Sequence, residues 1–307
     1  MEWQFGDNDI VIHGDNCSIL PTLPGESFQL IYIDPPFNTG KAQQRTTIKT
    51  VRSSNGDRTG FQGKRYESQK VGSLRYNDAF SDYLDFLEPK LVEAFRLLKR
   101  SGTLYFHIDY REAHYCKLLL DEIFGRDAFL NEIIWAYDYG GRARDRWPSK
   151  HDTILVYVKT PGEHFFDQSA IERIPYMAPG LVTPKKAERG KLPTDVWWHT
   201  IVPTNGTEKT GYPSQKPEGI LKRIIQASTR EGDWVLDFFA GSGTTGAAAQ
   251  KLGRRFVMIE SSEAAINIIE RRLRNRNVRF INHLGVALET EKLPVDQLTL
   301  ANSSQDS

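Results

Sequence analysis

The sequence predicts an α/β fold in which a mostly parallel central sheet is covered by helices on both faces. Three observations predict it. Apolar runs of strand length alternate with amphipathic helical stretches, acidic residues stand just past the ends of several runs, and a glycine-rich turn joins one run to a helix. With 307 residues, 39% of them hydrophobic, the chain is long enough for one large domain or for a core with a sizeable insert.

The elements follow in order. Ile10-Val11-Ile12 reads as a strand ending at His13-Gly14-Asp15-Asn16, and Phe28 to Ile33 as a second strand stopping at Asp34. Residues 38–77, polar and without periodicity, read as a long mobile basic loop. Leu84, Leu87, Leu91, Phe95 and Leu98 recur at helical spacing, with Pro89 as a possible break and Ser101-Gly102 as the stop. Strands are expected at 103–108, 132–137 and 153–158, with a helix from Glu112 to Phe124 between the first two. The prolines scattered through 161–212 mark an inserted recognition region. A second βαβ unit follows: a helix opened by Pro217, a strand at 234–239, the glycine turn and its helix, a strand at 255–259 and a helix at 262–274. The expected organisation is therefore 1–160 and 213–282 as two halves of one core around the 161–212 insert, with 283–307 as a polar tail.

The net charge of +1 conceals a segregation of charge along the chain. Residues 1–40 hold no Lys or Arg, whereas 41–76 hold nine, among them Lys41, Arg45, Lys49 and Arg52, against Asp57 and Glu67 alone. A second cluster, Arg142, Arg144, Arg146 and Lys150, is interleaved with Tyr137, Tyr139 and Trp147. Basic residues mixed with aromatics suit phosphates and unstacked bases, which points to nucleic acid as partner. No stretch approaches the ~20 apolar residues of a membrane span, and the expected location is the cytoplasm. Cys17 and Cys116 are too few for a disulfide framework and read as buried thiols, and no metal site is expected.

Asp237 to Gly246, DFFAGSGTTG, follows a strand, opens a helix and matches G-x-G-x-x-G. Its glycines would let the backbone approach a ligand, and Glu260, at the end of the next strand, stands where an acid would take ribose hydroxyls. Taken alone the turn fits a nicotinamide cofactor, S-adenosylmethionine or no ligand at all.

The stretch Ile33-Asp34-Pro35-Pro36-Phe37-Asn38 decides between them. An exocyclic base amine is a poor nucleophile because its lone pair is delocalised into the ring. The Asp34 carboxylate and the Pro35 carbonyl would accept its two hydrogens and free that lone pair for a sulfonium methyl. Pro36 restricts Pro35, and Phe37 offers a face on which an extruded base can stack. Neither cysteine follows a proline, which speaks against a cysteine nucleophile attacking a ring carbon.

These residues resemble the amino-methyltransferases of DNA, the group acting on adenine N6 or cytosine N4, and within it the modification subunits of type III restriction systems. The resemblance covers 10–160 and 192–275 and rests on Tyr32 to Gly40, Tyr76-Asn77-Asp78, His107-Ile108-Asp109, Asn131 to Trp135, His151 to Tyr157 and Tyr212 to Pro217. It implies a Rossmann-like methyltransferase fold, circularly permuted because the catalytic motif precedes the cofactor glycines. It also implies S-adenosylmethionine as cofactor, double-stranded DNA as substrate, a homodimer, and a possible restriction-system partner. By the same resemblance Asp34, Pro35, Pro36 and Phe37 are catalytic, Asp15 and Asn16 lie by the cofactor adenine, and Glu260 lies on the ribose. Asp237 lies near the sulfonium, and Ser214, Gln215 and Lys216 hold the methionine end, with Lys216 on its carboxylate. Phe239, Gly241, Ser242, Gly243 and Thr244, with Asp34 itself, complete the cofactor set. The basic clusters put Lys41, Arg45, Lys49, Arg52, Arg142, Arg144 and Arg146 on DNA, and 161–212 is the expected target-recognition region. Asp in the catalytic turn leans toward adenine N6; cytosine N4 methylation and a catalytically idle DNA-binding relative are the alternatives.

Overall fold

The computed structural model describes residues 6, 8–38, 43–52, 58–59, 65–76, 82–140, 143–274 and 277–282, the three segments within 43–76 by their backbone alone. The elements in chain order are β1 (Asp9–His13), α1 (Asn16–Ile19), β2 (Phe28–Ile33), β3 (Gln43–Arg52), β4 (Arg58–Thr59), β5 (Arg65–Tyr76), α2 (Tyr83–Leu97), β6 (Leu98–Ile108), α3 (Ala113–Phe124), β7 (Phe129–Ala136), β8 (His151–Val158), α4 (Pro184–Arg189), β9 (Val196–Trp198), α5 (Glu218–Ser228), β10 (Trp234–Asp237), α6 (Thr244–Lys251), β11 (Arg255–Glu260), α7 (Glu263–Leu273) and β12 (Val278–Asn282). Nine strands form one sheet in the order β12-β1-β11-β10-β2-β6-β8-β7-β9. Within it the antiparallel pairings are those of β8 with β6 and with β7. The expected mostly parallel sheet is therefore present.

Alternation along the strands divides the interior into two layers. Ile31 and Ile33 of β2 pack with Leu104 and Phe106 of β6 beneath α1, α2 and α3, while Leu30 and Tyr32 pack with Val235 and Met258 beneath α5, α6 and α7. Both faces are thus buried, which is why the central strands read as unbroken apolar runs. Inside α2, Pro89 cannot donate to the turn before it, and Lys90 Nζ donates at 2.6 Å to the Phe86 carbonyl in the turn that proline opens.

Four expectations are corrected. Residues 43–76 are not an unpatterned loop: β3 and β5 pair antiparallel over their whole length and β4 joins them, forming a separate three-stranded sheet. Ser101-Gly102 does not stop α2 but lies within β6; Leu98 pairs with Phe28 and Thr103 with Leu30, and the extra residues form a bulge. The inserted region lends β9 to the core sheet, parallel to β7 through Ile134, Trp135 and Ala136. Cys116 is buried, and burial pushes its thiol up to about 12, but Cys17 is exposed. Lys41, Arg142 and the 283–307 tail lie outside the described residues.

Candidate active site

Chain direction across the sheet reverses between β10 and β2: β10 leads through α6 to β11 on one side, and β2 leads through α2 to β6 on the other. Such a reversal opens a crevice at the carboxyl ends of the two strands. Here it holds a cavity of about 320 Å³, lined by Asp34 after β2, Asp237 to Ser242 after β10, Glu260 at the end of β11 and Asp15 after β1.

The glycine turn is shaped by packing as much as by any ligand. Gly241 and Gly243 have φ of 51° and 73°, values that disfavour side chains. A Cβ on Gly241 would meet the Tyr212 ring at 3.1 Å, and one on Gly243 would meet Ile269 at 3.0 Å. Glu260 staples the turn, accepting from the Gly241 amide at 2.7 Å through Oε2 and from the Ser262 amide at 2.9 Å through Oε1. Burial raises its carboxyl above the ordinary range against the pull of those amides. Asp237 is fully enclosed, accepting from Thr245 Oγ1 at 2.5 Å and from the Phe239 amide at 3.0 Å. Burial, with Asp34 and Glu260 adding like charge, still pushes it up to about 7.

The turn Asp34–Asn38 is held from three directions. Tyr83 Oη donates to the Pro36 carbonyl at 2.6 Å, Asn38 (φ 53°) donates to Glu112 at 2.9 Å, and Lys216 Nζ bonds Asp34 Oδ2 at 2.5 Å. Lys216 also stands 4.8 Å over the Phe37 ring. The other Asp34 oxygen, Oδ1, is buried with no hydrogen-bond partner. A free, desolvated carboxylate oxygen at a cavity wall is an acceptor waiting for an N–H or O–H from a ligand.

A second cavity, of about 660 Å³, shares Phe37, Tyr212 and Lys216 with the first and has Trp135, Tyr137, Tyr139 and Asp152 on its walls. Behind those aromatics runs a buried chain of hydrogen bonds. Tyr32 Oη meets His107 Nδ1 at 2.8 Å, His107 Nε2 meets Asp152 Oδ2 at 3.2 Å, and Tyr137 Oη donates to Asp152 Oδ1 at 3.0 Å. Although burial works to raise it, Asp152 is held below its ordinary value by His107, Lys216 and Tyr137. An ionised Asp152 can only accept, so His107 Nε2 is the donor of that pair. The His107 ring lies 5.9 Å from Phe37 and 5.5 Å edge-on from Trp135, so this chain sets the wall against which Phe37 rests.

Two cavities meeting at an acidic, proline-rich turn can hold a donor on one side and an acceptor on the other. A family model described as DNA methylase, covering the N6 and N4 methyltransferases, matches residues 28–271. The chain belongs to this DNA methylase family. A DNA adenine methyltransferase of Escherichia coli, YhdJ, is 33% identical over 271 residues, spanning 86% of this chain and 82% of that protein. The type II methyltransferase M.HinfI of Haemophilus influenzae is 30% identical over 308 residues, spanning 95% and 76%. Among solved structures, the cytosine-N4-specific PvuII DNA methyltransferase superposes with a TM-score of 0.59 at 16% identity, over 89% of this chain and 92% of that one.

In this methylase all the residues expected to hold a cofactor line the first cavity except Gly243, which is turned against Ile269. Asp15 also caps α1, accepting from the Ser18 amide at 3.1 Å, and Asn16 ties the start of α1 to the turn after β10 by donating to the Phe238 carbonyl at 2.9 Å. Ser242 and Thr244 are buried and hydrogen-bonded to each other at 3.1 Å, with Thr244 donating to the Lys216 carbonyl, also at 3.1 Å. Arg144 and Arg146 stand exposed on the connection between β7 and β8, next to Trp147, which is 94% exposed. Arg45, Lys49 and Arg52 lie along β3. Sequence reasoning missed Tyr83, Thr245 and the Tyr32–His107–Asp152 chain. The signal for the last was present in two polar rings within otherwise apolar strands, Tyr32 two residues before Asp34 and His107 near the end of β6.

Proposed function

We propose that the protein methylates adenine N6 in double-stranded DNA, with S-adenosylmethionine as donor. The observation that carries this reading is Asp34 Oδ1, buried and unpartnered beside Phe37 and Lys216, which with Tyr212, Ser214 and Gln215 line both cavities. The donor fits the first cavity by its chemistry: Asp34, Asp237 and Glu260 suit a ligand carrying positive charge and hydroxyls, and Phe239 and Tyr212 give it flat walls. When bound it supplies a methyl group on a cationic sulfur. Asp34 Oδ1 and the Pro35 carbonyl accept the two amine hydrogens and draw the nitrogen lone pair out of the ring, so that the nitrogen attacks the methyl carbon directly. As the N–C bond forms, the methyl–sulfur bond would break with the sulfur leaving as a neutral thioether, and the surplus amine proton would pass to Asp34 Oδ1, already hydrogen-bonded to it.

An amine paired inside a duplex is out of reach, so the base must leave the stack. The second cavity suits it, with Phe37, Trp135 and Tyr137 offering aromatic faces. Arg144 and Arg146, with the basic residues of 41–76, are assigned to the phosphates. The relatives named DNA adenine methyltransferase and type II methyltransferase support DNA as substrate and adenine as base. The order of the motifs supports the permuted class. A type III modification role, a restriction partner, a homodimer and a cytoplasmic location are finer proposals; among the described residues no helix is long and apolar enough to cross a membrane. A monomer in equilibrium sedimentation, with and without DNA, would remove the dimer.

The test is methyl transfer from labelled S-adenosylmethionine to unmethylated DNA by the wild type and by Asp34→Ala. The wild type labels DNA, and the variant loses on the order of 1000-fold in kcat while still binding the donor. A variant as active as the wild type, or a wild type that binds the donor and labels nothing, would sink the reading.

A further inference from the structure

We propose that Lys216 is a positioning residue for the transfer step, gripping Asp34 by one oxygen so that the other faces the amine, and is not the partner of the cofactor carboxylate. The inference rests on the catalytic reading of Asp34 and deepens it. Its observations are geometric. The Lys216 ammonium sits 2.5 Å from Asp34 Oδ2, and the two side chains are 9% and 17% exposed. Oδ1 of the same carboxylate is buried without a partner. A carboxylate with one oxygen locked and the other unpartnered has a single oxygen left with which to accept, which is what a reaction needing one pyramidal nitrogen requires.

Lys216 is itself held from its own backbone. Its carbonyl accepts from Thr244 Oγ1 at 3.1 Å, tying it to the first turn of α6, and Pro217 after it caps α5. Two residues before it, Ser214 has φ 58° and turns the chain in toward the site. Its ammonium lies over Phe37, the ring expected to stack on the base. One cation therefore fixes the acceptor oxygen and braces the stacking ring.

Electrostatics give the grip a second consequence. The groups that act electrostatically on or with Asp34 are Asp237 at the end of β10 and Tyr32 on its own strand; Asp237 in turn feels Glu260 on β11, and Tyr32 feels Asp152 at the start of β8. All of these are acids. Lys216 brings a positive charge into this acidic surround, paired directly with the Asp34 carboxylate.

The test uses full-length Lys216→Met, Lys216→Arg and Lys216→Gln, with two donors: S-adenosylmethionine and its decarboxylated analogue, which lacks the carboxylate. If Lys216 serves Asp34, all variants bind both donors within about twofold of wild type. Lys216→Met then loses on the order of 100-fold in kcat with donor binding intact, and Lys216→Arg recovers part of the loss. Weakened binding of S-adenosylmethionine with intact binding of the analogue would overturn the proposal and return Lys216 to the carboxylate. So would unchanged kcat in Lys216→Gln. Asp34→Asn, assayed in parallel, separates the two readings. An active Asp34→Asn removes the catalytic assignment itself, whereas an inactive Asp34→Asn beside a fully active Lys216→Met removes only the positioning role.

Discussion

Asp237 carries a proton-linked prediction at the scale of single residues. Its carboxyl is raised from the ordinary 3.8 to about 7, chiefly by burial. A raised value means the folded protein binds this proton more tightly than the unfolded chain does. The group's contribution to stability is therefore full at low pH and declines as pH rises from 3.8 toward 7. A cationic donor beside Asp237 favours its ionised form, so binding at a pH of about 6 releases a proton and affinity falls as pH is lowered through that range. Calorimetry in buffers of different ionisation enthalpy reads this release. Asp237→Asn abolishes it, and proton release unchanged in that variant would assign it elsewhere. Tyr83 carries a second prediction. Removing its hydroxyl by Tyr83→Phe costs about 1 kcal/mol in urea unfolding and lowers kcat more than it changes KM, because the Pro36 carbonyl loses its donor. An unchanged kcat would mean that the prolines alone fix the turn.

At the scale of elements, what could be read depended on whether burial wrote a period into the sequence. The central strands β2, β6, β8 and β11 are covered on both faces and stood out as apolar runs, as did the amphipathic α3, α5 and α7. The ribbon of β3 and β5 did not, because its sequence is dominated by Thr, Gln, Ser and charged residues and holds no apolar run. β9 and β12 are short edge strands whose place comes from neighbours distant in sequence, and the bulge in β6 hid that strand's start behind a glycine that read as a helix stop. The β7–β8 connection carries its own test. Replacing Arg144 and Arg146 together by Gln weakens duplex binding and flattens the slope of log K against log salt by about 0.9 for each phosphate that is no longer neutralised. A slope identical to wild type would take both residues out of the interface.

Over the whole molecule, the chemistry depends on bringing together segments that the sequence holds far apart. The two halves of the site could be read separately, the proline turn at Asp34 and the glycine turn at Gly241, because each packs its chemistry into adjacent residues. Their union could not: the Lys216–Asp34 pair spans 182 positions, and the chain from Tyr32 to Asp152 crosses three strands. Nor does the net charge of +1 disclose that acids gather around the first cavity while the cations of 41–76 and the β7–β8 connection lie elsewhere in the chain. The central claim is that the two cavities bring a methyl donor and an exocyclic base amine together at Asp34. Its most direct test is mass spectrometry of nucleosides from unmethylated DNA incubated with the protein and S-adenosylmethionine. The account predicts N6-methyladenine, formed by the wild type and absent with Asp34→Ala. N4-methylcytosine would keep the mechanism and change the base, whereas methylation at a ring carbon, or none in DNA despite bound donor, would contradict the account.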